Sequence, residues 1–271
     1  MTEVKYLKNF VKKYYYLFNK KLFFMITNKI YNEDCLETFS KIKNNSINLI
    51  ITSPPYNKNH YSKKISKGEK KYAVSSFRKI QYDVYEDSMH PKEYEKWQKK
   101  ILNECIRVLK EDGSIFYNHM DIQNNRLIIH PTFIYDYPVK QILIWDRANT
   151  PKLDKNYFYP ITEYIFWIKK NNKAKTKFNR SSCSFQKQII RLTPDTKNNH
   201  PAPYPIQLAN NFILACTEKN DLVYDPFMGS GTTAIAAIIN KRNYIGSEIS
   251  KKYVDVANKR IDKYKNQTSL F

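Results

Sequence analysis

A chain of 271 residues is long enough for one globular domain with a sizeable core, or one domain plus an insertion. Its 46 Lys and Arg against 25 Asp and Glu leave a formal net charge of +21, so an anionic polymer is the natural partner. Tyr6 to Phe24 is aromatic and basic, but its lysines interrupt the apolar run too often for a membrane span, and no small-residue cleavage site of a secretory signal follows. Residues 1–24 therefore read as a basic N-terminal extension, either an appended helix or the product of an upstream start codon ahead of Met25.

Taken in chain order, the pattern predicts a strand over 27–31, a helix over 33–43 and a strand over 46–52. That third element ends abruptly at Thr52-Ser53-Pro54-Pro55-Tyr56. Two ring-locked residues remove two backbone donors, so the chain must leave the sheet in a stiff extended turn. A small hydroxyl before the pair and an aromatic after it make a pocket mouth with one hydrogen-bonding wall and one stacking wall, which suits a planar base with an exocyclic amine. An ordinary strand-ending turn is the other reading of such a segment. Residues 57–90 lack periodicity and read as an insertion. A helix over 91–110 and strands over 114–118, 140–146 and 161–168 follow, then a polar stretch over 170–200, which reads as a second insertion over about 171–199, and a helix over 205–217. The strand over 221–225 runs into Asp225-Pro226-Phe227-Met228-Gly229-Ser230-Gly231-Thr232, and a helix over 231–241 follows. Only five glycines occur in the chain, and two flank Ser230, where they let the backbone approach a ligand without a Cβ in the way. The strand over 243–247 ends at Glu248, about twenty residues after the turn, where a carboxylate can accept both hydroxyls of a ribose. A helix over 250–265 completes the alternation. The fold expected is an α/β three-layer, mostly parallel sheet with helices on both faces, the ends of strands 46–52 and 221–225 lying side by side. Gly229-x-Gly231-x-x-Ala234 with Glu248 also fits a dinucleotide fingerprint, so a nicotinamide-dependent Rossmann oxidoreductase stands as an alternative; it leaves the Pro-Pro turn unexplained.

Together, Ser53-Pro54-Pro55-Tyr56 and Asp225-Pro226-Phe227-x-Gly229-Ser230-Gly231-Thr232 resemble the catalytic and cofactor motifs of the DNA amino-methyltransferases. Their order, catalytic motif first, is similar to the circularly permuted beta class found in bacterial restriction–modification systems. His200-Pro201-Ala202-Pro203-Tyr204-Pro205, Arg107 to Ile115 and Glu163 to Lys170 look like further segments of that family, whereas Asn32-Glu33-Asp34-Cys35 carries Glu where Gly is usual. The resemblance implies a Rossmann-like methyltransferase domain over 25–271. It also implies S-adenosylmethionine as cofactor, no metal, and transfer of a methyl group to an amino nitrogen of an extruded base in double-stranded DNA. An aromatic amine is a poor nucleophile until its lone pair is localised; the Ser53 hydroxyl and Pro54 carbonyl can accept its hydrogens, Pro55 stiffens the turn, and Tyr56 stacks on the base. Backbone around Asp225, Phe227, Gly229 and Gly231 cradles the methionine portion, with Thr52, Ser230 and Thr232 beside it, Glu248 on the ribose and Asp34 on the adenine edge. Ser at position 53 favours cytosine N4, with adenine N6 the alternative acceptor.

The charge is concentrated in loops and a tail. Residues 1–24, 57–79 and 169–197 together account for +20 of the +21, and two of these stretches flank the base mouth. Lys63, Lys64, Lys70 and Lys71 are expected on phosphates, and Arg180 and Arg191, with Gln186 and Gln188, on base edges. The resemblance adds a homodimer and a cognate restriction endonuclease as partners. Cys35, Cys105, Cys183 and Cys216 show no paired or metal-ligand spacing and read as reduced thiols of a cytoplasmic protein. None follows a proline, as the nucleophile of cytosine-C5 methylation does in that family.

Overall fold

A computed structural model describes residues 26–62, 82–124, 127–148, 158, 160–195 and 204–268. An eight-stranded sheet runs through it: β1 (Lys29–Tyr31), β2 (Ile47–Thr52), β3 (Leu109–His119), β6 (Val139–Asp146), β7 (Thr162–Lys169), β8 (Ile189–Arg191), β9 (Leu222–Asp225) and β10 (Asn243–Ser247). Their spatial order is β1-β10-β9-β2-β3-β7-β6-β8, and β7 alone runs against the rest. A small hairpin, β4 (Ile122–Asn124) with β5 (Leu127–Ile129), follows β3. The helices are α1 (Cys35–Lys41), α2 (Lys58–Ser62), α3 (Pro91–Val108), α4 (Ile206–Cys216), α5 (Thr232–Ile239) and α6 (Lys251–Thr268). The three-layer α/β expectation therefore holds. No helix among the described residues is long and apolar enough to cross a membrane.

Each face of the sheet has its own core, because side chains alternate along a strand. From β2 and β3, Leu49, Ile51 and Phe116 join Leu208, Phe212, Ala234 and Ala257 beneath α4, α5 and α6. Ile50, Ile115 and Tyr117 turn to the other face and meet Phe39, Ile101, Leu102 and Cys105 of α1 and α3. Phe116 and Phe212 stack with centroids 4.0 Å apart. Each such Leu, Ile or Phe side chain contributes roughly 1.5–3 kcal/mol by leaving water. Helix α3 forms because Pro91 opens it and Tyr94, Gln98, Ile101, Leu102, Cys105 and Val108 recur on one stripe. It ends at Val108, and Leu109 enters β3 directly, so that strand is longer than the 114–118 core read from the sequence.

Two features position the site. Strand β2 cannot continue past Thr52, since Pro54 and Pro55 have no N–H to donate. Strand β9 likewise stops at Asp225, before Pro226. From neighbouring parallel strands, the chain then departs to opposite faces, β9 into α5 and β2 towards α3. That divergence opens a crevice at the carboxyl ends of the strands, the place where ligands bind in open α/β sheets. The stretch expected as a second loop insertion, 171–199, instead supplies a sheet strand, β8, in parallel register with β6.

Candidate active site

The crevice is a pocket enclosing about 960 Å³, its mouth included. Ser53, Pro54, Pro55 and Tyr56 line it together with Asp34, Phe227, Gly229 and Glu248. Residues 82–85 and Met89 cover it, and the Tyr85 ring stacks on Trp97, which meets Phe227 edge-on. That cover is tied down at both ends: Ser250 Oγ donates to Asp83 (2.7 Å), and the backbone N–H groups of Asn57 and Lys58 donate to the Asp87 carboxylate (2.6 and 3.0 Å). Burial pushes the Asp87 carboxyl up to about 6.

Glu248 accepts the N–H of Gly229 and of Ser250, both at 2.9 Å, one on each carboxylate oxygen. Burial raises its carboxyl above the ordinary value. A carboxylate has about four acceptor positions, so two remain for hydroxyls of a ligand. Asp34 lines the same wall and caps α1 by accepting the Leu36 N–H at 2.8 Å. Its neighbour Glu33, in the place where the family usually has Gly, is taken up by Thr38 and Lys41.

Five residues expected at the cofactor lie outside the pocket lining. Asp225 is fully buried and surrounded by donors: Thr52 Oγ1, Thr233 Oγ1, Tyr204 OH and the Phe227 N–H, all within 3.0 Å. Its carboxylate holds the ends of β9 and β2 together, and Thr52 serves that bond. Ser230 accepts Arg260 through both its carbonyl and its hydroxyl. Thr232 is buried in the first turn of α5. Gly231 sits at φ +84°, and a Cβ there would lie 3.0 Å from Ala257 Cβ. The missing Cβ allows close packing of α5 on α6.

At the base mouth, Tyr56 is 5% exposed, with its ring tilted on His119 at 4.8 Å and the Lys58 ammonium 5.0 Å from its centroid. Its hydroxyl meets Ser53 Oγ (2.6 Å), Asn118 Nδ2 (2.7 Å) and Glu163 Oε2 (3.0 Å). The Pro55 carbonyl accepts Tyr94 OH at 2.8 Å, and Tyr94 OH in turn meets His119 Nε2. Burial lowers His119 to about 4, so its ring is neutral near pH 7. Asn118, Glu163 and His119 went unnoticed as site residues because each reads as an ordinary strand position. Only the antiparallel register of β3 and β7, with Asn118 opposite Ile165, brings them together.

The expected DNA contacts separate. Lys63, Lys64, Lys70 and Lys71 lie outside the described residues, as do residues 1–24. Arg191 sits at the carboxyl end of the sheet, exposed, with Nε on Asp146 at 2.6 Å. Arg180 does not join it. Lys177 N–H bonds the Asp112 carbonyl and Asn179 N–H the Ala215 carbonyl, which fixes that segment at the opposite end of the sheet. From Asp112 to His119 the strand covers roughly 23 Å. Gln188 donates to the Ile142 carbonyl and Gln186 to that of Arg180. Among the described residues no His, Cys, Asp and Glu are grouped as a metal site. Cys35, Cys105 and Cys216 are buried, and burial raises their thiols, the last to about 12.

The model of the family described as DNA methylase, N6_N4_Mtase, matches residues 47–259. The Type II methyltransferase M.BglII of Bacillus subtilis is 30% identical over 266 residues, covering 85% of this chain and 68% of its own. In fold, the chain resembles the cytosine-N4-specific PvuII DNA methyltransferase (TM-score 0.67, 20% identity, 88% of this chain and 91% of that one). It also resembles a DNA modification methylase of Thermus thermophilus complexed with S-adenosyl-L-methionine (TM-score 0.61, 20% identity, 87% and 95%). The matched span takes in the Ser53–Tyr56 turn, the Gly229–Gly231 turn and Glu248, and the chain belongs to the N6/N4 DNA methylases, the amino-methyltransferases of restriction–modification systems.

Proposed function

We propose that this protein is a site-specific DNA methyltransferase that uses S-adenosylmethionine to methylate the exocyclic N4 of cytosine in duplex DNA. The observation that carries this reading is one pocket lined both by Ser53-Pro54-Pro55-Tyr56 and by Glu248. The lining suits the cofactor: two free acceptor positions on Glu248 for ribose hydroxyls, the Asp34 carboxylate for an amino edge, and the Phe227 ring for an adenine face. S-adenosylmethionine, when bound, supplies a methyl group on an electron-poor sulfur.

The residues around it hold and orient. A duplex base must leave the helix to reach the pocket, since its amine is otherwise paired and stacked. Ser53 and the Pro54 carbonyl accept the two amine hydrogens, which localises the nitrogen lone pair, and alignment with the methyl group supplies most of the rate. Tyr56 stacks on the base once Lys58 swings from the ring face towards a flanking phosphate. The cover formed by residues 82–89 excludes water from the pocket. Duplex DNA is the polymer partner, and a second copy of the chain and a cognate endonuclease belong to the same reading.

Incubating the protein with labelled S-adenosylmethionine and unmethylated duplex DNA, then digesting to nucleosides, tests this directly. Label in N4-methylcytosine is expected. Label in N6-methyladenine would overturn the base assignment while keeping the chemistry, and no label in DNA would overturn the activity.

A further inference from the structure

Behind the base mouth lies a polar cluster that the chemistry above does not use: buried Asn118 and Glu163 with half-buried Arg147. Glu163 Oε2 receives Tyr56 OH at 3.0 Å and Asn118 Nδ2 at 2.7 Å, while Oε1 receives Arg147 Nη1 at 3.1 Å. Asn118 Nδ2 also reaches the Tyr56 oxygen at 2.7 Å, which occupies both of its hydrogens; its contact with Ser53 Oγ is longer, 3.4 Å. Glu163 and Asn118 are both buried, and Tyr56 remains a phenol with a single proton, because burial and Glu163 raise it well above its ordinary range.

Donor accounting then gives the cluster a direction. A carboxylate only accepts, so the one Tyr56 proton points at Glu163. The Tyr56 oxygen is left as an acceptor, and the 2.6 Å contact with Ser53 can be filled only by the Ser53 hydrogen. The free lone pairs of Ser53 are thereby turned away from the cluster, towards the pocket that this residue lines. The direction matters chemically. A serine hydroxyl donating to the amine nitrogen would occupy the lone pair that must attack; one accepting from the amine hydrogen frees it. We infer that Glu163 is a positioning residue that acts through Tyr56 to hold Ser53 as a hydrogen-bond acceptor for the amine of the target base.

This assignment rests on the function proposed above, and the test keeps the two apart. Glu163→Gln places an amide donor where the acceptor was, and Tyr56→Phe removes the relay while keeping the ring. Each is expected to lower kcat by roughly tenfold to a hundredfold, with KM for DNA and cofactor affinity near wild type. The double variant should be no slower than the worse single one, since both interrupt the same chain. In the Glu163→Gln background, Ser53→Ala should cost far less than in the wild type. Calorimetric cofactor binding reports folding of every variant, and Tyr56→Phe keeps the test open should Glu163→Gln not fold. If the wild type methylates DNA and Ser53→Ala is slow, yet both single variants keep wild-type kcat, or their losses multiply, Glu163 does not direct Ser53. A wild type that transfers no methyl group to DNA removes the functional reading itself, and this inference with it.

Discussion

Gly231 has a packing role beside the cofactor role that its motif suggests. Its φ of +84° lies in the left-handed region, and its missing Cβ makes room for Ala257 of α6. A side chain there adds about 1–2 kcal/mol of backbone strain and about 1–3 kcal/mol of overpacking. Gly231→Val should therefore unfold at lower urea concentration, destabilised by roughly 2–5 kcal/mol. Gly231→Ala, measured where it is folded, should bind cofactor nearly as the wild type does; a large affinity loss with unchanged stability would return the glycine to the ligand site. Glu248 is the opposite case. It lines the pocket with acceptor capacity to spare, and Glu248→Gln presents one oxygen to Gly229 and Ser250, whose N–H groups now use two. Lost charge-assisted bonds of about 1.5–3 kcal/mol predict cofactor binding weaker by at least roughly tenfold in calorimetry.

The cover over residues 82–90 is an element without helix or strand, and its stability rests on single side chains. Asp87 is buried among the N–H groups of Asn57 and Lys58, and desolvation moves its carboxyl from 3.8 to about 6. Because the folded chain holds this proton more tightly than the unfolded one, the stabilisation is full below pH 3.8 and is lost as pH rises through about 6. Asp87→Asn removes the titration. Stability of the wild type relative to that variant should fall by up to about 3 kcal/mol between pH 4 and 7, then stay level. Urea unfolding at a series of pH values reads this; a constant difference would mean that Asp87 is solvated in the native state. Such an element was not legible in the sequence, because no periodicity marks a strap held by Asp83 on the Ser250 hydroxyl and by Asp87 on the backbone of Asn57 and Lys58. Strands β2 and β9 were legible because an apolar run meets a proline that must end the ladder, at Pro54 and Pro226. Strand β8 was hidden within a polar stretch, since three residues at the rim of a sheet need little apolar signal. Asn118 and Glu163 were readable as strand positions only, and their meeting depends on a register that no local pattern encodes.

At the scale of the whole molecule, the excess charge and the ends of the sheet decide how DNA is met. The +20 carried by residues 1–24, 57–79 and 169–197 predicts DNA binding that weakens steeply with salt. Replacing Lys63, Lys64, Lys70 and Lys71 by Gln should flatten the slope of log affinity against log salt by roughly 0.9 for each phosphate no longer neutralised, leaving cofactor affinity intact. The sheet then separates two arginines that the sequence grouped. Arg191 stands at the carboxyl end, the same end of the sheet as the base mouth, on edge strand β8 paired with β6 and steadied through Nε by Asp146, with the rest of its side chain exposed. A fixed guanidinium fork suits the two acceptors of a guanine edge in the major groove. Arg180 is anchored at the amino end of the sheet, and the strand between the two ends, from Asp112 to His119, covers roughly 23 Å, which sets Arg180 apart from the end that carries the pocket. Arg191→Ala should therefore change which sites are methylated, relaxing discrimination by about 1–3 kcal/mol at one base position, whereas Arg180→Ala should leave the methylation profile as it is. Sequencing of DNA methylated by each variant distinguishes the outcomes. A wild-type motif at uniformly lower occupancy for Arg191→Ala would make that residue a phosphate contact, and an altered motif for Arg180→Ala would mean that the amino end of the sheet also faces the duplex.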